Sequence, residues 1–124
     1  MTKFSAPLNF VFAVSRIDAQ SEKLDLHLLL DVNTEIYPIH PNEKFVVLLT
    51  ETLSDHSQGK SKADKFEYIM HGKLYKLGEE QSGDDTKMEV YISFGGFQML
   101  LTGSLDYLNR FNLDRNYFLC MRKL

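Results

Sequence analysis

Residues 24–33, "LDLHLLLDVN", place Leu24, Leu26, Leu28, Leu30 and Val32 on one side of an extended chain. Asp25, His27, Asp31 and Asn33 fall on the other. Side chains alternate faces in a strand and repeat every 3.6 residues in a helix, so this pattern dictates a half-buried strand. The period of two recurs along the chain. Residues 44–50 are apolar on both faces, as a central or doubly covered strand requires. Residues 65–70 group Phe66, Tyr68 and Met70, and residues 73–77 follow Gly72, where a bend or bulge is expected. Residues 87–94 turn Met88, Val90, Ile92 and Phe94 inward, residues 97–102 group Phe97, Met99 and Leu101, and an apolar run over 116–122 closes the chain. Near the N-terminus, the alternation through Asn9, Phe10, Val11 and Phe12 and the charges of Arg16 and Asp18 fit a strand better than a signal peptide.

Turn-forming residues separate these runs. Pro38, Pro41 and Asn42 end one strand, residues 54–61 form a polar loop, and residues 79–85 form the tip of a long hairpin. Ser104 precedes Leu105 and Leu108 as a cap precedes one short helical turn, at 104–110. Seven or eight short strands in 124 residues imply an all-β fold, a small antiparallel sandwich or barrel forming one domain over 1–124. A closed barrel suits such a chain because it leaves few unpaired edges.

The residues that carry chemistry are spaced against it. His27, His40, His56 and His71 stand 13, 16 and 15 residues apart, unlike any common ligand pair. Cys120 is the one cysteine and sits in an apolar run, where a thiol behaves as a small hydrophobe. Ser93 has no Gly-x-Ser-x-Gly elbow. The pairs Glu79/Glu80 and Asp84/Asp85 sit in a hydrophilic loop that offers nothing to raise a pKa. Asp25 and Asp31 lie about 20 Å apart at ~3.3 Å per residue, too far for a catalytic pair. Gly95, Gly96 and Gly103 do not follow Gly-x-Gly-x-x-Gly, and Gly59-Lys60-Ser61 lacks the strand and glycine that precede it in a phosphate loop. No catalytic residue, metal ligand or cofactor is therefore expected. The pair Gly95-Gly96 marks a tight reversal or bulge between two strands, or a place where a second backbone comes close. The formal net charge of −3 argues against an autonomous nucleic-acid binder and no run approaches the eighteen apolar residues of a spanning helix. The chain is read as intracellular, without membrane contact. A basic stretch of Lys60, Lys62, Lys65, Lys73 and Lys76 nevertheless lies near Phe66, Tyr68, Tyr75, Tyr91 and Tyr117. Weak contact with single-stranded nucleic acid, by stacking between basic residues, is the alternative function.

Two stretches, "FEYIMHGKLYK" at 66–76 and "YISFGGFQMLLTG" at 91–103, resemble the small subunit shared by eukaryotic RNA polymerases I, II and III, the eighth in the usual count. "VSRI" at 14–17, "LLDVNTEIYPI" at 29–39, "SKADKFEY" at 61–68 and "YFLCMRKL" at 117–124 agree in the same order. The resemblance implies an antiparallel barrel related to the oligonucleotide/oligosaccharide-binding (OB) fold. It further implies a nuclear, non-catalytic subunit of DNA-directed RNA polymerase that docks on the largest subunit and supports assembly. Tyr91, Phe94, Gly95, Gly96 and Phe97 are the expected partner contact, by strand addition. Two departures bear on the barrel. Only residues 1–13 precede "VSR", where the family has a full first strand, and loop 53–60 is shorter than the family's. The first strand is expected to be shortened, replaced or differently paired.

Overall fold

The computed structural model describes residues 2–6, 8–9, 14–55 and 60–124, with the side chains of residues 5, 6, 8, 9, 55, 60 and 82 outside the description. The strands are β1 (Thr2–Ala6), β2 (Leu8–Asn9), β3 (Val14–Ser21), β4 (His27–Asn33), β5 (Glu43–Thr50), β6 (Ser54–Asp55), β7 (Lys60–Ser61), β8 (Tyr68–Ser82), β9 (Asp85–Phe94), β10 (Phe97–Ser104) and β11 (Asn116–Lys123). A 3-10 turn, Lys62–Lys65, precedes β8, and helix α1, Leu105–Leu108, follows β10. All neighbours are antiparallel, in the order β1-β5-β11-β8-β9-β10-β4-β3, and β1 pairs back onto β3, so eight strands close into a barrel. β2 flanks β3, and β6 with β7 forms a separate ribbon.

The alternation read from the sequence decides what fills the barrel. Leu26, Leu28, Leu30 and Val32 of the β4 region, Met88, Val90, Ile92 and Phe94 of β9, and Met99 and Leu101 of β10 are all buried. The helical turn also stands where Ser104 predicts it. Ser104 Oγ accepts the Asp106 N–H at 3.3 Å, and Leu108 is buried, while Leu105 faces solvent.

The short first strand is the piece that closes the ring. β1 runs along β5 from Thr2↔Val47 to Ala6↔Glu43 but meets β3 only at Phe4↔Ser21 and Ser5↔Gln20. Phe4 is 2 % exposed, and its ring stacks on Phe45 at 6.0 Å. The strand expected around Asn9 is observed as β2, and Phe10, Val11 and Phe12 lie outside the described residues.

Two local expectations are corrected. The alternation over 65–70 is not all strand. Ser61 Oγ accepts the Ala63 N–H at 3.1 Å and starts the 3-10 turn, so β8 begins at Tyr68 and Phe66 precedes it. Gly72 marks no bend, because β8 runs through it. The bulge falls three residues on, where Leu74 faces Ile92, Lys76 faces Tyr91, and Tyr75 is the extra residue. Gly72 is instead a point of close approach, since a Cβ there would lie 2.1 Å from the Ser93 carbonyl oxygen.

The expectation of a central or doubly covered strand holds for β5, which lies between β1 and β11 and is covered on its outer face at Val46. Val46 and Cys120 point away from the interior, on neighbouring strands, yet both are buried. The loop between β4 and β5 is clasped. Tyr37 Oη donates to Glu67 Oε1 at 2.7 Å, the Lys123 N–H donates to the same oxygen at 2.7 Å, and the Tyr37 ring stacks on Tyr68 at 5.1 Å. The Lys123 N–H, and next the Tyr37 hydroxyl, hold the Glu67 carboxyl below its usual 4.5.

Two measurements check this frame. Gly72→Ala is expected to cost about 1–3 kcal/mol in chemical denaturation, because backbone and not a side-chain tip must yield. Glu67, with its lowered folded-state pKa, stabilises the protein at pH above 4.5 and loses that contribution as pH falls through the lower folded value. Glu67→Gln is therefore expected to flatten the decline of Tm below pH 4.5; an unchanged acid limb would contradict the clasp.

Candidate docking surface

The surface centres on the β9–β10 reversal. Phe94 pairs with Phe97, leaving Gly95 and Gly96 as a two-residue turn with φ of 60° and 100°. Positive φ at both central positions is the signature of a type I′ turn, whose twist matches that of a hairpin and which side chains other than glycine adopt with strain. A Cβ at either glycine would meet nothing within 4 Å. The pair is thus required by the turn, and no other part of the described chain closes over it.

Strand addition at residues 91–97 is blocked by the pairing. Tyr91, Ile92 and Ser93 are paired with β8 on one side and β10 on the other. The far edge of β10 is sealed too: Asp31 Oδ2 accepts the Gln98 N–H at 2.9 Å where the β4 ladder ends. Arg16 Nε donates to Asp31 Oδ1 at 2.9 Å and Arg16 Nη2 to Oδ2 at 3.3 Å, so one carboxylate, 8 % exposed, ties together β3, β4 and β10. Asp31 in turn raises the Arg16 pKa, by hydrogen bonding and then by charge. A partner at this turn must therefore engage side chains and the turn itself.

The five residues expected to form the contact do not share one face. Phe94 is buried in the core, and Phe97 is half-buried beside it. With Ile36, Met70, His71 and Gly95 they line a shallow cleft of about 340 Å³, and Ile36, 71 % exposed, stands at its rim. Tyr91 faces the opposite way, onto the outer surface of the barrel. There the bulge lays Tyr75 beside it, ring centroids 6.1 Å apart, and Tyr75 Oη donates to Gln98 Oε1 at 2.8 Å. The Lys76 ammonium lies 5.0 Å from the Tyr91 ring centre, and Tyr91 Oη donates to Glu89 Oε2 at 3.2 Å. Burial, and then the Glu89 charge, raise the Tyr91 pKa. Sequence reasoning missed Ile36, the Tyr75 bulge and the Asp31 staple. Exposure of Ile36 and the meeting of Arg16, Asp31 and Gln98 depend on loop path and strand register, for which no local signal exists.

The basic stretch is dispersed. The Lys60 side chain falls outside the described residues. Lys62 is half-buried, Lys65 ends the 3-10 turn, Lys73 stands 3.9 Å from Asp114, and Lys76 covers Tyr91. Of the aromatics read as stacking candidates, Tyr68 and Tyr117 are core. Among the described residues no group of three His, Cys, Asp or Glu side chains is arranged to hold a metal ion. Burial raises the Cys120 pKa, against a smaller opposing effect of Lys62.

A family model described as RNA polymerase Rpb8 matches residues 9–123. The chain is 44 % identical over 121 residues to the Arabidopsis thaliana protein named "DNA-directed RNA polymerases II, IV and V subunit 8B", covering 90 % of this chain and 82 % of that one. It is 41 % identical over 109 residues to a Schizosaccharomyces pombe protein named "DNA-directed RNA polymerases I, II, and III subunit RPABC3", covering 88 % of this chain and 82 % of the relative. A Caenorhabditis briggsae protein with the same name, prefixed "Probable", is 36 % identical over 121 residues, covering 89 % and 82 %.

The Asp31 staple can be weighed by deletion. Asp31→Ala removes the acceptor of the part-buried Gln98 N–H and is expected to cost about 1–3 kcal/mol in urea unfolding. Arg16→Ala removes only the exposed partner and is expected to cost about 0–1 kcal/mol. Equal losses would show that the ion pair, and not the bond to the Gln98 N–H, carries the effect.

Proposed function

Because the chain belongs to the RNA polymerase Rpb8 family, we propose that it is a non-catalytic structural subunit of DNA-directed RNA polymerases I, II and III. In this reading it works in the nucleus, docks on the largest subunit and supports assembly of the enzyme for transcription. The observation that carries the proposal is the family match over residues 9–123, joined to relatives that are named as polymerase subunits at 36–44 % identity.

The geometry supplies a means. A rigid barrel presents Gly95 and Gly96 at an open turn, with Phe97, Met70 and exposed Ile36 beside them. An apolar projection of a partner can fill that cleft while its backbone passes close to the two glycines. A few apolar anchors seated in such a cleft would concentrate binding energy in a small area. The glycines, Phe97 and Ile36 are thus the proposed contact on this side, Phe94 supports them from within, and Tyr91 belongs to the opposite face. Single-strand binding finds less support, since the described lysines are divided between the 3-10 turn and β8, and the two on β8 stand near Asp114 and over Tyr91.

The experiment is affinity purification of the tagged chain from nuclear extract. Co-recovery of the largest polymerase subunits is expected, and their absence would refute the assembly role. Ile36→Asp changes an exposed side chain and is expected to alter stability by less than about 0.5 kcal/mol, while reducing that recovery at least tenfold. Recovery equal to wild type would move the contact away from the cleft. The free chain is expected not to bind a single-stranded oligonucleotide even at low salt; tight, steeply salt-dependent binding would favour the alternative.

A further inference from the structure

One sheet edge is left open by the closed barrel. β11 pairs with β8 only from Tyr68 to Lys73, and the last bonds on that side are made by the N–H and C=O of Leu74 to Arg115 and Asp114. Beyond the bulge β8 continues to Ser82 against β9 alone, and no described strand lies along its other side. Which groups point outward follows from the ladder. Leu74 bonds away from β9, so its partner Ile92 stands in a non-bonded pair, and non-bonded pairs recur at every second residue of β9. They are Leu77↔Val90, Glu79↔Met88 and Gln81↔Thr86. The N–H and C=O groups of Leu77, Glu79 and Gln81 therefore face outward, while Lys76, Gly78 and Glu80 are bonded to β9.

The charge around this edge is one-sided. Glu79, Glu80, Asp84 and Asp85 are exposed and make no ion pair among the described residues. The two lysines of the same hairpin are turned elsewhere: Lys76 lies over Tyr91, and Lys87 stands 3.4 Å from Asp25. We infer that the β8 edge from Leu77 to Gln81 receives an extended segment of a neighbouring polymerase subunit with Lys or Arg at alternate positions. Main-chain bonds to three residues would supply register and affinity, and the basic side chains would meet the acidic hairpin. A second copy of this chain would bring the same acidic residues to the edge and is disfavoured by like charge. The inference rests on the assembly role proposed above but concerns a different surface from the glycine turn.

Hydrogen exchange on the free chain and on the chain purified within polymerase tests it. Exchange at Leu77, Glu79 and Gln81 is expected to slow at least about tenfold on assembly, with little change at Gly78 and Glu80, whose amides already bond to β9. Unchanged exchange at all three, in a chain that co-purifies with polymerase, overturns the edge and leaves the assembly role standing. Failure of the wild-type chain to co-purify removes the assembly role and this inference with it. Glu79→Pro deletes an N–H that β9 does not use and is expected to stay folded while recovering polymerase at least tenfold less well. Should it unfold, the double variant Glu79→Lys, Glu80→Lys carries the test. A tenfold loss of recovery at low salt supports a basic partner, and equal recovery overturns it. A wild-type dimer in which these same three amides become protected would assign the edge to a second copy and overturn the inference.

Discussion

Everything in this barrel depends on a seam two residue pairs wide. Seven of the eight junctions are ladders of four or more pairs, but β1 reaches β3 only at Phe4 and Ser5. Two ladder pairs contribute little by themselves, since a hydrogen bond within the protein replaces one to water. The seam holds because Phe4 stands behind it, buried on the inside and stacked on Phe45 of the strand next door. Closure is thus mainly a matter of apolar burial, and the backbone bonds keep the register.

β8 makes two structures from one strand. Up to Lys73 it is a stave of the barrel, held so tightly against β9 that Gly72 has no room for a side chain. At Tyr75 an extra residue enters, and beyond it the same strand becomes half of a projecting hairpin. A bulge increases local twist, and here it coincides with the departure of β8 from β11. It also lays Tyr75 beside Tyr91, so the place where the strand leaves the barrel is also where the outer aromatic pair is assembled.

How much of this was legible depends on whether a residue's environment is set locally. The inward faces of β4, β9 and β10 could be read because period two and burial act on consecutive residues, and Ser104 could be read because a cap bonds two residues away. Gly95 and Gly96 showed their turn for the same reason, but not that the turn stands open. Gly72 misled because glycine serves both bends and close approach, and only the position of Ser93, 21 residues later, tells them apart. The alternation across Phe66 misled because Ser61 offered the chain a competing 3-10 turn. The candidate surface was read least well: Tyr91 and Phe94 are three residues apart, and odd spacing in a strand sends them to opposite faces.

The lone thiol of Cys120 points away from the barrel interior yet is fully buried, with its ionisation suppressed. An alkylating reagent reaches that sulfur only when the structure around it opens. The rate at which Cys120 is modified under native conditions therefore reports that opening from inside the wild-type chain, with no label added.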